Sequence, residues 1–563
     1  MPSQGAIPFA PSAGVVNALY VNKLTGDDNR TKAEARSPLT PFETIGRALW
    51  GDADRNNPTP LQAADAGDTV VVIGGPTPGS AIVYGSAVQL NDRLGVLYNP
   101  TNSGTPGNFI TITPDGYVRL AGHALNAGVI GSVGKDWIKW YADRATAKFL
   151  ITCDGRFASA VNIASSTVPS ANVLQVVTDG DHNFTNGEEV HIYNHDCTPP
   201  FDNSQGWQAI VTVINSTTFE IPTPGVTVGG GATGTVQRTE DTKADTTIVN
   251  PTADTGPVIF NGSENCWLEG FDIDGGPQVD WNDNWSGVRT ESAFNTTIRN
   301  CKIWNFYVRS GAGNSSAVKH YSSEGTLVEQ CELHHCGTGI STKDIPGGAE
   351  FGNENYTYRR LYIHDVGFTG DGGSFFSWSQ TDQLGGDITE NLCVGAVGHA
   401  LHMTGGNMNF ERIFNNTFVG FGPSGTGDGV FVSTPLAWST VKILNNIWSS
   451  SPSRMLEYSG QNCPAATACS YQHQVYHQTA GQFYSGNEGN LDFASFNSAH
   501  TDQHSVDPDS VTDDPEFVDP GNGDYTLGVS SPARDLGRHP DTDAVVDAGC
   551  YPLGYRVLGL EVA

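Results

Sequence analysis

Between residues 268 and 448 one short arrangement of apolar and polar positions returns at a near-fixed interval. It reads Leu268-x-Gly270-Phe271-x-Ile273, then Ile298-x-Asn300-Cys301-x-Ile303, Val328-x-Gln330-Cys331-x-Leu333 and Tyr358-x-Arg360-Leu361-x-Ile363. It continues as Ile388-x-Glu390-Asn391-x-Cys393, Ile413-x-Asn415-Asn416-x-Phe418 and Ile443-x-Asn445-Asn446-x-Trp448. The first positions step by 30, 30, 30, 30, 25 and 30 residues. A period of this size predicts a solenoid, in which no coil can bury its apolar face alone and stacked neighbours share one core.

Each repeat carries a further strand-like run: Gly339-Ile340-Ser341-Thr342, Phe375-Phe376-Ser377-Trp378, Ala400-Leu401-His402-Met403 and Gly429-Val430-Phe431-Val432. Strict alternation along a strand puts Leu401 and Met403 inward and His402 outward. Asn416 and Asn446 fall at equivalent places and predict a ladder of stacked amides, whose ordinary role is to satisfy buried turn groups. The connections at 344–356, 366–374 and 420–428 differ in length. Variable loops on a rigid stack usually build the binding surface.

The two ends differ from the repeat. Tyr20-Val21, Gly26-Asp27-Asp28, Ser37-Pro38 and Pro41-Phe42-x-Thr44-Ile45 lead to Gly67-Asp68 and the strand run Thr69-Val70-Val71-Val72-Ile73. Ile45, Ala48 and Leu49 have helical spacing, and a short amphipathic helix there would cover the open end of a stack, which otherwise exposes core and edge strands. At the other end come Asp514-Pro515-Glu516-Phe517-Val518-Asp519-Pro520, Asn522-Gly523-Asp524, Ser531-Pro532-Ala533 and Asp547-Ala548-Gly549. Both ends resemble right-handed parallel β-helix proteins of the pectate-lyase-like superfamily, of the phage tailspike or virion-fibre type. Residues 170–240 break the style, with strand runs at 173–177, 189–193, 209–214 and 218–221 between turn residues. The phrase VINSTTFEI followed by GGGATGTV is similar to small antiparallel modules of phage tail proteins and, distantly, to an insert of ubiquitin-activating enzymes.

The expected fold is therefore all-β: a right-handed parallel β-helix solenoid with an N-terminal capping helix and an inserted small antiparallel β module. The expected divisions are an extended arm at 1–17, the cap and first coils at 18–169, and the barrel-like module at 170–240. The regular coils follow at 241–460 and the closing segment at 461–563.

Composition narrows the partners. The formal net charge of −31 argues against nucleic acid and anionic membranes, which need a basic face. Charge of this kind keeps a chain soluble; its sharper use would be to hold a divalent cation, Ca²⁺ being the ion that such acidic sites take. No run of 18 apolar residues exists, so no membrane insertion is expected. The opening MPSQGAIPFAPSAGVV has neither a basic region nor a long apolar core and does not read as a secretory signal. Cys301 and Cys331 share one repeat position, about one strand spacing (~4.8 Å) apart if stacked; a disulfide and stacked thiols are both open. Cys463 and Cys469 are a second pair, oxidised or reduced.

A straight sheet face walled by loops suits a linear polymer, and the resemblance implies acidic polysaccharides. For β-elimination a base must take the proton beside a uronate carboxylate, and Lys343 and His402, on or just beyond the further strands, are the candidates. Lys319-His320 lie at another offset of the coil, and His334-His335 beside Cys336 read as structural. For hydrolysis two carboxylates flank the bond, about 5–5.5 Å apart for retention and about 6.5–9.5 Å for inversion. Asp344, Asp371 and Asp428 lie near the further strands and are the candidates, though Asp in a Gly-rich loop is also an ordinary turn former. Trp378, Phe376, Phe431 and Tyr321, with Trp281 and Trp285, are candidates for stacking on sugars if alternation turns them outward. His191, His195, Asp196 and Cys197 lack the arrangement of a four-ligand site, and no protein metal site is expected.

Three functions fit these features. One is a phage virion spike or fibre, built as a homotrimer among other virion proteins, that binds a bacterial surface glycan with or without depolymerising it. Another is a free polysaccharide lyase or glycoside hydrolase. The third is a non-catalytic decoration or adhesion protein of a virion.

Overall fold

The computed structural model describes residues 17–52, 54–77, 80–84, 96–120, 128–144, 148–152, 161–180, 182, 189–193, 195–198, 207–223, 226–239, 256–275, 286–306, 315–343, 353–367, 373–379, 383–404, 407–409, 411–422, 427–433, 437–451, 454–459, 468–478, 483–487, 489–499, 510–539, 542 and 544–549. The repeat stacks as predicted. Three long sheets of parallel strands run the length of the molecule, of 12, 11 and 11 strands, and a short fourth sheet of four strands joins them between residues 353 and 439. This is a parallel β-helix.

The recurring hexapeptide is not one strand but two. Its first half lies in the first sheet, where Leu268, Ile298, Val328, Tyr358, Ile388, Ile413 and Ile443 stack in register. Its second half lies in the second sheet, where Ile273, Ile303, Leu333, Ile363, Cys393, Phe418 and Trp448 stack likewise. The third position turns the chain between them in a left-handed conformation, with φ from 50° to 83° at Gly270, Asn300, Gln330, Arg360, Glu390, Asn415 and Asn445. Gly and Asn adopt that conformation most readily, which explains why they occupy four of the seven bends.

The fourth position begins the second-sheet strand and faces the core. It holds Phe271, Cys301, Cys331 and Leu361 in the lower coils, then Asn391, Asn416, Asn446 and the equivalent Gln474. The amides form the expected ladder: Asn391 Nδ2 donates to Asn416 Oδ1 at 2.9 Å and Asn416 Nδ2 to Asn446 Oδ1 at 3.0 Å. Asn446 Nδ2 donates to Gln474 Oε1 at 3.3 Å. Cys301 and Cys331 are stacked buried thiols rather than a disulfide, and Cys469 is also a free buried thiol; Cys463 lies outside the described residues.

The helix Ile45–Trp50 is capped by Thr44, whose hydroxyl accepts from the Arg47 amide, and all six of its residues are buried against the first coil. It closes the end of the stack, as its spacing predicted. At the far end the helix Phe493–Ala499 packs Phe496 on Phe483 and Tyr484. The closing segment then returns along the outside of the second sheet, burying Leu527, Ala533 and Ala548 against Ile447 and Val475.

Residues 161–239 form a separate seven-stranded antiparallel sheet with its own core of Ile163, Leu174, Val176, Phe219, Ile221 and their neighbours. Its strand Val161–Ser170 begins nine residues before the 170 boundary read from sequence. His195 serves this module's structure: Nε2 bonds Ser166 Oγ at 2.6 Å and Nδ1 lies 2.7 Å from the Thr233 carbonyl.

Candidate functional site

The third sheet holds the further strands, and its outward face carries His402 and Phe431 of the sequence-predicted residues. Inward stand Val318, Ile340, Phe376, Leu401, Val430 and Leu456, all buried. Outward at the next position stand Lys319, Ser341, Ser377, His402, Phe431 and Glu457, in register across six strands. A second column sits at the entry to these strands. Backbone bonds from Phe375 to the His399 carbonyl, Ala400 to Asp428 and Gly429 to Arg454 stack Ser374, His399, Asp428 and Arg454 on successive coils.

The two columns meet in one cluster. His399 lies face to face with Phe431 at 4.4 Å between ring centres and 4.9 Å from His402, which is 5.2 Å from Phe431. The Asp428 backbone amide donates to His399 Nδ1 at 3.0 Å, so in neutral His399 the proton sits on Nε2. Arg454 Nε donates to Asp428 Oδ1 at 3.2 Å, and Arg454 Nη2 reaches Glu457 Oε2 at 2.5 Å. The Asp428 carboxylate is almost wholly covered, at 2 % exposed, while Glu457 is 15 % exposed. Burial first, and then the negative Asp428, raise the Glu457 carboxyl above its ordinary value; a hydrogen bond between the two carboxyls acts in the same direction. Arg454 and His399 act against that rise without cancelling it. His402 is pushed down to about 4, chiefly by burial and then by His399, so it is neutral at pH 7.

This arrangement has consequences for each reaction. The guanidinium of Arg454 is already shared between two carboxyls, which makes it a weak partner for a uronate carboxylate. Lys343 ends its strand two strands away from His402, about 10 Å at the usual strand spacing. The two candidate bases therefore stand apart rather than in one site. Two carboxyls side by side, of which Glu457 is the one raised, can instead serve as an acid and a base.

Three of the predicted stackers belong elsewhere. Phe376 and Trp378 point inward, each 1 % exposed, and Trp378 Nε1 donates to Tyr356 Oη at 2.9 Å. They fill the core, where large flat rings bury most area, and cannot meet a sugar. Tyr321 is in the outward register beside Lys343, but it is 6 % exposed and the Arg289 guanidinium lies 4.3 Å from its ring. Only Phe431 of the four is half-exposed. Lys319 and His320 are on this same sheet rather than elsewhere on the coil, since the connection at 307–314 lengthens their offset. Both are buried; His320 points inward against Tyr358, and burial lowers it to about 3. Asp344, Asp371, Trp281 and Trp285 lie outside the described residues.

The sequence reading missed His399, Arg454 and Glu457. The signal was available: Ala400-Leu401, Gly429-Val430 and Met455-Leu456 are equivalent pairs, and the residues just before them are His399, Asp428 and Arg454. For Ca²⁺, which takes six to eight oxygen ligands, the described residues supply no oxygen-only cluster; the single group of three or more candidate metal ligands among them includes two imidazoles.

No family model matches the chain, and no curated protein matches its sequence. Among solved structures it is similar to the pectate lyase Pel9A, at 10% identity over 96% of this chain and 98% of that one, with a TM-score of 0.48. It is similar to the tailspike protein gp49 from Pseudomonas phage LKA1, at 14% identity over 80% of this chain and 72% of that one, with a TM-score of 0.27. It is also similar to the Gp54 tailspike of Acinetobacter baumannii bacteriophage AP22, solved with A. baumannii capsular saccharide, at 9% identity over 74% and 60%, with a TM-score of 0.28. At these scores the likenesses decide nothing about chemistry, and the parallel β-helix rests on the strand pairing itself.

Proposed function

We propose that the chain is a phage virion spike or fibre that binds a bacterial surface polysaccharide along the outward face of its third sheet and hydrolyses it there. The observation that carries the reading is the cluster itself: half-exposed Phe431 and His402 packed with buried His399, beside the Asp428 and Glu457 carboxyls that Arg454 bridges. Aromatic faces suit sugar rings, and the carboxyl pair supplies acid and base. While the two carboxyls touch they are closer than the separations that flank a glycosidic bond, about 5 Å or more. Substrate must therefore part them, with Arg454 following Asp428 and Glu457, the raised carboxyl, acting as the acid. The antiparallel module at 161–239, with its resemblance to phage tail modules, supports a place on a virion, and a homotrimer is the assembly expected of such a spike.

The test is incubation of the purified chain with capsule or lipopolysaccharide from candidate hosts, following glycan size and the ultraviolet absorbance of an unsaturated uronate. Shortened glycan without that absorbance is expected. Shortening with it would replace hydrolysis by elimination. Binding with no shortening would leave an adhesion protein, a reading that the saturated Arg454–carboxyl contacts also suit. Light scattering gives the oligomer.

A further inference from the structure

A second cluster stands on the outside of the second sheet, away from the site above. The strands Glu332–His334 and Tyr362–Val366 pair in parallel, with Glu332 opposite Tyr362 and His334 opposite His364. Alternation sends Leu333 and Ile363 into the core and leaves Glu332, His334 and His364 on the outer face, each half-buried. Glu332 Oε1 is 3.8 Å from His334 Nε2 and 3.4 Å from His364 Nε2, and the three ligand atoms lie within 4.8 Å of one another.

The neighbours orient both rings. His364 Nδ1 bonds the Asp365 carboxylate at 2.8 Å and Nε2 lies 3.4 Å from Glu332 Oε1; with its one proton on Nδ1, Nε2 presents a lone pair. His334 Nδ1 lies 2.6 Å from His335 Nδ1; with the proton on His334 Nδ1, its Nε2 is likewise a lone pair. That Nε2 is buried and has no hydrogen-bond partner. The three ligand atoms thus lie together, and buried His334 Nε2 is the one left without a partner, a cost that a bound ion would remove. Backing of a ligating imidazole through its other nitrogen by a carboxylate or another acceptor is the usual support of metal-bound histidine. Bonds of about 2.0–2.1 Å in tetrahedral geometry put ligand atoms about 3.3 Å apart; the two Glu332 pairs, at 3.4 and 3.8 Å, are near that, and the two stacked imidazoles must swing their nitrogens together from within 4.8 Å to reach it.

We propose that Glu332, His334 and His364 bind one divalent transition-metal ion of the zinc class, which ties two consecutive coils together and keeps at least one position open to water. Two imidazoles and one carboxylate suit that class and not Ca²⁺ or Mg²⁺. One group competes. Lys302 Nζ lies 2.9 Å from Glu332 Oε1, the same oxygen the ion would use, so metal binding must turn the lysine away.

The full chain, stripped with EDTA and dialysed, is titrated with Co²⁺ and with Zn²⁺ while visible absorption, stoichiometry and Tm are read. One equivalent of Co²⁺ with the visible bands of a low-coordinate site is expected, displaced by Zn²⁺, together with a rise in Tm. Glu332→Gln, His334→Ala and His364→Ala should each weaken binding at least tenfold, Lys302→Met should strengthen it, and His477→Ala should leave it unchanged. Absence of a saturable Co²⁺ spectrum in the unaltered chain overturns the proposal, whether or not the variants fold. So does a His364→Ala chain, folded by circular dichroism, that titrates like the parent.

Discussion

Glu411 lies in the core of the stack, wholly covered, with Oε2 accepting from Tyr356 Oη at 2.7 Å and Oε1 without a partner. Burial pushes its carboxyl from 4.5 up to about 8, so the folded chain carries it protonated at neutral pH. The folded value is raised, so its contribution is fully present below the unfolded value and lost as pH rises toward the folded one. Each unit of that interval costs about 1.4 kcal/mol. Glu411→Gln keeps the acceptor for Tyr356 and removes the titration. The variant should match the parent in denaturant melts below about pH 4.5 and exceed it by a margin that widens up to about pH 8; a constant gap across that range would refute the assignment. At the functional site, Asp428→Asn should abolish glycan shortening while binding persists. Phe431→Ala should weaken binding by up to roughly tenfold, the worth of one aromatic contact, measured by glycan-array or calorimetric titration. Residues of this kind were only partly legible. His402 and Phe431 followed from alternation, whereas Phe376 and Trp378 were misread because they sit one register step away, where every side chain faces the core. Glu411 and Arg454 lie at strand entries, where no two-residue period applies.

At the scale of the element, the hexapeptide announced itself through its period, but its bend did not. The period identified which residues stack; the left-handed third position, shared by Gly, Asn, Gln, Arg and Glu, has no single residue type to mark it. The amide ladder was legible from Asn416 and Asn446 and extends further, through Asn391 and Gln474. Each rung also ties backbone: Asn416 Nδ2 donates to the Ile388 carbonyl at 2.9 Å, and Asn416 Oδ1 accepts from the Asn391 amide at 3.1 Å. Apolar residues fill the same position at Phe271 and Leu361, so the column as such tolerates them. A single Asn416→Leu, however, strands groups on both adjacent coils. The expected loss is about 3 kcal/mol, the cost of leaving two or so buried groups unsatisfied, read as a shift in the denaturation midpoint. Adding Asn446→Leu should cost less than the sum, because the two rungs share one bond. Additive losses would mean that the rungs act independently.

Among the described residues the coils form one stack, which the antiparallel module interrupts. Trp140 pairs directly with Leu268, and Phe149 with Phe271, so consecutive coils are in register across the long sequence gap that holds the antiparallel module. The chain leaves after the second-sheet strand Lys148–Thr152 and re-enters the third sheet at Val258–Asn261. The module therefore replaces the turn between second and third sheets, the turn that in a later coil shrinks to residues 397–400 and carries His399. Its apolar residues form a cluster distinct from the continuous core of the stack. In a solenoid each coil draws stability mainly from its neighbours, and the coils flanking the gap already have theirs. Replacing 161–239 by a short Gly-rich linker should thus leave a folded β-helix with little change in its main melting transition. The excised segment should fold by itself, and calorimetry of the full chain should show two transitions, one of which the deletion removes. A deletion that aggregates, or that lowers the main transition by tens of degrees, would show that the module contributes to the stack's folding rather than riding on it. If the deletion folds yet loses attachment to particles while still shortening glycan in solution, the two parts divide the proposed work: the module holds the virion, and the cluster around Asp428 meets the polymer.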